Sequence, residues 1–369
     1  MPAEAMMILV GLWLAACAPS PPPPQLSVDE VAGFVRPGTA DAVAWASAVH
    51  RALLAAERPV DADHVCQTLA IIEQESGYAA DPAVPNLGDI ARRELVAKLS
   101  AELGVLGDDA AQLVLDQSPP GASQTFGERL DRVRTERELD LFFQDLLAFH
   151  EAKAPAVGKT IRFLFPRRLE AINPVATAGS MQVAVAYAQE HPMADGRSRD
   201  DVRAELYTLE GGVLFGTLRL FDHDADYDQP IYRFADFNAG QYASRNAAFQ
   251  EQLAKVAGEP LTLDGDLLAY TDRGAPIAGQ TVEVLRAWAA ASGHDPDDLV
   301  SDLRDEKSRD FEDTDAWALV REAHRQTAGE PAYARVPAVA LDSPKLKGDW
   351  TTQSFAERVH KRYRDCLTR

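Results

Sequence analysis

The sequence predicts a mainly α-helical fold, and three observations predict it. Apolar residues recur at helical spacing through most of the chain from Leu26 onward. Gly104 and Pro119-Pro120-Gly121 punctuate those stretches, and only the short apolar runs Thr160 to Leu164 and Pro260 to Tyr270 suit strands. The 369 residues, 46% apolar and 8% aromatic, suffice for a sizeable core and more than one domain.

Taken in order, Val43 to Ala56 is one periodic segment that must end before Pro59. Asp61 or Asp63 can cap a second helix running to about Ser76. Asp89 to Leu103, Asp109 to Leu115 and Phe126 to Lys153 are charged and amphipathic, and the pattern continues in Met181 to Gln189, Ser198 to Leu220 and Ala247 to Ala257. No internal repeat is visible.

The N-terminus reads as an address. Ala5 to Ala16 is apolar for 12 residues, whereas a membrane-spanning helix needs about 20. It therefore matches the apolar region of a secretory signal, although Met1-Pro2-Ala3-Glu4 lacks the usual Lys or Arg and Met6 is an alternative start. The run ends in Leu14-Ala15-Ala16-Cys17, which resembles the lipobox of bacterial lipoproteins. That resemblance implies a signal peptide over 1-17, palmitate-type acylation of Cys17 and a membrane anchor. Ala18 after the cysteine resembles outer-membrane sorting, with the protein on the periplasmic face of the envelope. Residues 18-27 form a Pro-rich tether. Export places Cys66 and Cys366 in an oxidising compartment as an even pair, where either a bridge or two separate buried thiols fits.

Charge narrows the partners. The 57 acidic and 37 basic side chains leave a formal charge of -20, and nucleic acid needs a basic face. Residues 258-330 hold 17 acidic and 7 basic groups, whereas residues 331-369 hold 4 and 8. Two solvated helical faces account for this, and a tail folded onto the acidic block is the alternative.

Three separated motifs carry the chemistry. They are Ile71-Ile72-Glu73-Gln74-Glu75-Ser76-Gly77-Tyr78, then Asn173-Pro174 with Gly179-Ser180-Met181-Gln182-Val183, then Phe234-Ala235-Asp236-Phe237-Asn238-Ala239-Gly240. In that order they resemble the Glu-Ser, Gly-Leu-Met-Gln and Ala-Tyr-Asn-Ala-Gly motifs of soluble, goose-lysozyme-like lytic transglycosylases. The whole chain also resembles an uncharacterised group of proteobacterial lipoproteins. The first resemblance implies an α+β lysozyme-like body over 28-85 and 166-257, interrupted by a helical insertion over 86-165 and followed by a C-terminal extension over 258-369. It implies cleavage of the bond between N-acetylmuramic acid and N-acetylglucosamine in peptidoglycan, with one glutamate as acid and base and no cofactor or metal.

Helical geometry separates the two glutamates. At about 100° per residue, Glu75 falls among Thr68, Ile71 and Ile72, and Glu73 falls on the far side near Cys66. A carboxylate among apolar neighbours keeps its proton to higher pH, as a general acid requires. Glu75 is therefore the expected catalytic residue, with no second carboxylate beside it in a family-like position. The resemblance makes Ser76, Asn173, Met181, Gln182, Phe237 and Asn238 substrate-binding. Asn173 stands where the family often has a serine bonded to the glutamate, and Met181 is either a sugar-facing wall or plain core. Ser180 and Phe237 replace the family's leucine and tyrosine, and Tyr232 or Tyr242 is expected to supply the missing hydroxyl. Asp236 reads as a surface aspartate.

The spacing departs from the family: Glu75 and Gly179 lie 104 positions apart. The insertion is expected to roof one end of the groove. These departures keep a second reading open, a non-catalytic peptidoglycan-binding or structural lipoprotein, and hydrolysis by water is a third. Asp222 to Asp228 imitates a calcium loop but has Tyr227 and Arg233 at the positions that need Gly and Glu. Gly158-Lys159-Thr160 lacks the first glycine of a phosphate loop, and His150-Glu151 lacks the second histidine of a zinc motif.

Overall fold

A computed structural model describes residues 25–103, 107–153, 173, 175–271, 275–340 and 350–369. The signal, Cys17, most of the tether, the apolar run 160–164 and the Gly158-Lys159-Thr160 triplet lie outside the described residues.

The described chain is mainly α. Helix α1 (Val28–Phe34) starts at Ser27, whose hydroxyl and Glu30 exchange hydrogen bonds with each other's backbone N–H. Helix α2 (Ala42–Ala55) follows, and α3 (Ala62–Glu75) begins at Asp61, whose carboxylate accepts from the His64 N–H. Next come α4 (Leu87–Leu103), α5 (Gly107–Leu115), α6 (Phe126–Leu130) and α7 (Glu136–Lys153). A two-residue antiparallel hairpin, β1 (Thr177–Ala178) and β2 (Val183–Ala184), pairs Thr177 with Ala184. It leads into α8 (Val185–Glu190), α9 (Arg199–Leu206), α10 (Leu209–Phe221), α11 (Pro230–Ala239) and α12 (Ala243–Ala257). The rest is β3 (Ala269–Tyr270) paired with β4 (Pro276–Ile277), then α13 (Gln280–Ala291), α14 (Pro296–Asp302), α15 (Asp315–Ala328) and α16 (Thr352–Cys366).

Several expected elements are subdivided. Phe126 to Lys153 breaks over 131–135, where the Ala83–Thr135 bridge and the bond from Val84 N–H to Arg134 C=O pull the chain out of helix. Ser198 to Leu220 breaks at Tyr207-Thr208, because the Thr208 hydroxyl caps α10 by accepting from Gly211 N–H. Met181 to Gln189 opens as a turn and strand before α8. Of Pro260 to Tyr270 only Ala269–Tyr270 is strand.

Two apolar cores result. The larger joins α1, α2, α3, the first hairpin, α10, α11 and α16, and reaches Phe126, Leu139 and Phe142 of α6 and α7. The smaller gathers Phe249 and Leu253 of α12 with α13, α14, α15, Phe311 and Trp317. Arg245 fastens α12 within the smaller core: wholly buried, it donates to the Glu306 and Ser308 carbonyls and to Glu312. The basic C-terminal segment divides: α16 packs on α3 and α11, while residues 331–338 lie along the acidic block, where the Tyr333 hydroxyl donates to Glu312 and the Ala338 N–H to the Leu263 carbonyl.

Cys66 and Cys366 form a disulfide that spans 300 positions with Cα atoms 5.6 Å apart. It fastens α16 to α3. A loop that long gives about 5 kcal/mol in the chain-entropy account. We predict that Cys366→Ser lowers the unfolding free energy by about 2–5 kcal/mol, read as the urea midpoint under non-reducing conditions. Gly216 of α10 offers a second check, since a Cβ there would collide with the Sδ, Cγ and Cβ atoms of Met181. Gly216→Ala is expected to cost about 1–3 kcal/mol, and Met181→Ala should recover part of that loss when added.

Candidate active site

The site is built where α3 ends. Val65 to Ile72 are buried without interruption, so this helix is enclosed on every side and its last turn opens into a cleft. The cleft encloses about 580 Å³. Glu75 and Gln74 form part of its floor, Pro82 to Pro85 one wall, and Thr177, Gln182, Val183 and Ala184 of the hairpin another. Phe237 and Asn238 of α11, Arg219 of α10, Glu136 of α7, and Trp350 and Phe355 of the C-terminal segment complete it.

Glu75 and Glu73 differ in their charged neighbours. Glu73 pairs with Arg369 at 3.1 Å and Arg362 at 3.9 Å. The Glu75 carboxyl has no hydrogen-bond partner among the described residues. Burial pushes it up to about 7, the nearby Glu136 charge adds to the rise, and Arg362 opposes it. The helical arc is therefore not what distinguishes them, because α3 is buried all round; the placement of the arginines is.

Glu136 is a second carboxylate in the cleft, which corrects the expectation of a lone glutamate. It is the first residue of α7, where a helix N-terminus favours negative charge. The bridge between Ala83 and Thr135 delivers it there. One turn on, buried Asp140 accepts from Asn173 Nδ2 at 2.5 Å and Arg203 Nη1 at 2.9 Å, which fixes α7 against the hairpin and α9. Nothing in residues 86-165 resembles a catalytic motif, so only the fold reveals this group.

The second motif forms the tip of the hairpin. Gly179 (φ 81°) has a left-handed backbone, and a Cβ there would strike the Leu206 carbonyl oxygen. Gln182, at φ 51°, sends its Nε2 to Glu136 at 2.9 Å and accepts at Oε1 from the Thr177 hydroxyl at 3.0 Å. It lines the cleft and orients Glu136. Met181 is fully buried against Gly216 and does not face the cleft, so its sugar-facing role is withdrawn. Ser180 is likewise buried, packed on Gly212, and leaves the cleft width unchanged. Asn173 bonds to Asp140 and not to Glu75. Ser76 caps α3 and donates to the Ile72 carbonyl, away from the cleft lining.

In the third motif, Phe237 and Asn238 face the cleft, and Asn238 Oδ1 accepts from the Thr352 hydroxyl at 3.2 Å. Gly240, at φ 125°, ends α11. Asp236 is buried rather than superficial. It accepts from the Tyr227 hydroxyl and the Tyr242 and Ser244 N–H groups, with His223 Nε2 3.1 Å away. It is a joint between α11 and α12. Tyr232 and Tyr242 are absent from the cleft lining, so neither replaces the hydroxyl that Phe237 lacks. Asp222, Asp224 and Asp226 of the calcium-like loop engage Tyr187, Arg58 and Arg309. Among the described residues no group of three His, Cys, Asp or Glu side chains gathers as a metal site would. Trp350, Phe355 and Arg219 carried no motif, and hydropathy alone does not distinguish a cleft-lining aromatic from a core one.

The chain is 36% identical over 376 residues to a protein of Escherichia coli strain K12 described as "Uncharacterized protein YaiW", covering 99% of this chain and 98% of that one. No solved structure matches it significantly. Residues 38–369 match the family described as "Protein of unknown function (DUF1615)", and the chain belongs to that family.

Proposed function

We propose that the protein is a lipid-anchored lytic transglycosylase of peptidoglycan, tethered through Cys17 to the periplasmic face of the envelope, at the outer membrane. The observation that carries this reading is Glu75. It is a dehydrated carboxyl without a counter-ion partner among the described residues, its pKa raised to about 7, on the floor of a cleft with both amides and apolar walls. Sugars are bound by that combination, since hydroxyls and N-acetyl groups need donors and acceptors while ring faces pack on apolar side chains.

The reaction balances on one group. Neutral Glu75 gives its proton to the glycosidic oxygen as the bond from the muramic C1 to that oxygen breaks. The muramic C6 hydroxyl then closes on C1 and returns its proton to Glu75, so a 1,6-anhydro ring forms and no water is consumed. Glu136, held by Gln182, faces this region as an anion suited to stabilise positive charge at C1. Its presence also favours a second reading, hydrolysis, in which Glu136 takes a proton from water while Glu75 protonates the leaving group.

The products decide between these. The full chain in detergent is incubated with murein sacculi and the soluble fragments are weighed by mass spectrometry. Anhydro-muropeptides are expected, and Glu75→Gln should reduce their formation about 100- to 10,000-fold. Reducing-end muropeptides would select hydrolysis. Sacculi that bind the protein and stay intact would leave a binding protein.

The pH profile follows from the same carboxyl. Glu75 acts in its protonated form, so kcat/KM is expected to fall as pH rises through about 7. Removing the like charge in Glu136→Gln should move this alkaline limb to lower pH, and removing the opposing cation in Arg362→Ala should move it higher.

Stability also falls with rising pH, over the range just below that limb. The folded pKa of Glu75 lies above its ordinary 4.5. Below that value both folded and unfolded chains hold the proton, and nothing is lost. As pH rises from there to about 7, only the folded chain retains it, and stability declines until the folded group ionises. Glu75→Gln should therefore be more stable than the native chain at pH 8, by at most about 3 kcal/mol, with the difference vanishing near pH 4 in urea titrations.

A further inference from the structure

Among the described residues, three charged side chains line the cleft: Glu75, Glu136 and Arg219. Arg219 sits near the end of α10, half-buried, with its guanidinium 5.5 Å from the centre of the Tyr187 ring. It has no hydrogen bond or ion pair to a carboxylate among the described residues. Asp222 and Asp236 act on it only at a distance; the first is engaged by the Tyr187 hydroxyl at 3.0 Å, the second by four groups around α11.

That isolation is unusual for this chain. Acidic side chains outnumber basic ones by 57 to 37, and three other inward-facing arginines have hydrogen-bond partners. Arg203 holds Asp140, Arg245 holds Glu312 and two carbonyls, and Arg233 donates to the Leu220 and His223 carbonyls. A guanidinium offers five donors in a fork matched to a carboxylate, and withdrawing it from water without such a partner is costly. The cost is recovered if a ligand brings the anion. Among the described residues that line the cleft Arg219 is the cation, so its region is where a ligand carboxylate is attracted.

We propose that Arg219 is a carboxylate-binding subsite that selects an acidic glycan over a neutral one beside the bond that Glu75 protonates. This rests on the glycan-cleaving reading of the cleft and names the substrate feature that it takes. In murein such a carboxylate has two sources: the lactyl group of muramic acid, free where the peptide has been removed, and the carboxylates of the peptide stem where it remains.

The test is binding, so that it does not depend on turnover. Full-length protein carrying Glu75→Gln, in detergent, is titrated calorimetrically with four glycans of equal length: chitotetraose, peptide-free murein tetrasaccharide, the same tetrasaccharide with its lactyl carboxyls amidated, and the peptide-bearing form. At least one carboxylate-bearing glycan is expected to bind ten-fold or more tighter than chitotetraose. Preference for the peptide-free form identifies the lactyl group. If that form binds like chitotetraose and the peptide-bearing form is preferred, the stem is the source. Amidation should abolish lactyl preference without any change to the protein, which keeps the test valid if Arg219 variants fold poorly. Adding Arg219→Gln should bring acidic glycans down to the chitotetraose level and leave chitotetraose itself unchanged, while Arg219→Lys keeps part of the preference. Equal affinity for neutral and acidic glycans, or no binding to any of them, overturns the subsite. Preference without murein cleavage by the native chain would sink the transglycosylase reading and spare the subsite; cleavage without preference would do the reverse.

Discussion

The constraint on which the structure depends is the enclosure of α3. A helix with eight consecutive buried residues, Val65 to Ile72, has no solvent face and must be surrounded by other elements. Neighbours α1, α2, α10 and α16 supply that jacket. Because the helix is encased, its last turn cannot be hydrated as a surface helix end would be. A carboxyl placed there loses water on most sides, and the free energy of ionising it rises. The same packing that stabilises the first core thus sets the protonation state of Glu75.

Closing the cleft needs chain from well outside the body that the motifs delimit. Glu136 comes from the segment between the first and second motifs, and Trp350 and Phe355 come from the end of the chain. Each is held by a specific tie. Asp140, Asn173 and Arg203 anchor α7, and the Cys66–Cys366 bridge with the Asn238–Thr352 bond anchors α16. Asp140 and Arg203 are both buried, so breaking that pair leaves a charge uncompensated in the interior. Residues with no counterpart in the motifs therefore decide the shape and charge of the cleft.

Local rules made part of this legible. Asp61 caps α3 as its position before an apolar run implies, and α2 ends ahead of Pro59. Helical spacing marks Glu75 as the desolvated glutamate of the two, and its carboxyl is desolvated, but by the enclosure of α3 rather than by one apolar arc. The cysteine pair was readable as a pair, and the bridge selects one of its two alternatives. What stayed hidden was non-local. Met181 and Ser180 look like cleft residues until the close approach of Gly212 and Gly216 on α10 shows that the hairpin packs its tip inward. Asp236 looks superficial because its partners, His223, Tyr227, Tyr242 and Ser244, are spread on both sides of α11. Glu136 and Arg219 belong to amphipathic helices in which one charged residue reads like any other until topology decides which of them faces a cavity.

The two glutamates at the end of α3 are better understood together than apart. They lie two positions apart, yet Arg369 and Arg362 approach Glu73, and Glu75 has no ion pair among the described residues. Were Arg362 to swing to Glu75, the opposite charge would hold that carboxyl ionised near neutral pH, and an acid would become a mere anion. Glu73 prevents this by giving the C-terminal arginines a nearer partner, on the side of the helix where α16 is bolted down by the disulfide. One carboxylate thereby holds the cations away from the other. Glu136 acts in the same sense from across the cleft, since a fixed negative charge there makes a second one at Glu75 unfavourable. The net charge of -20 is silent on all of this. What sets the chemistry of the cleft is which few charges are paired with the protein and which are left for a ligand.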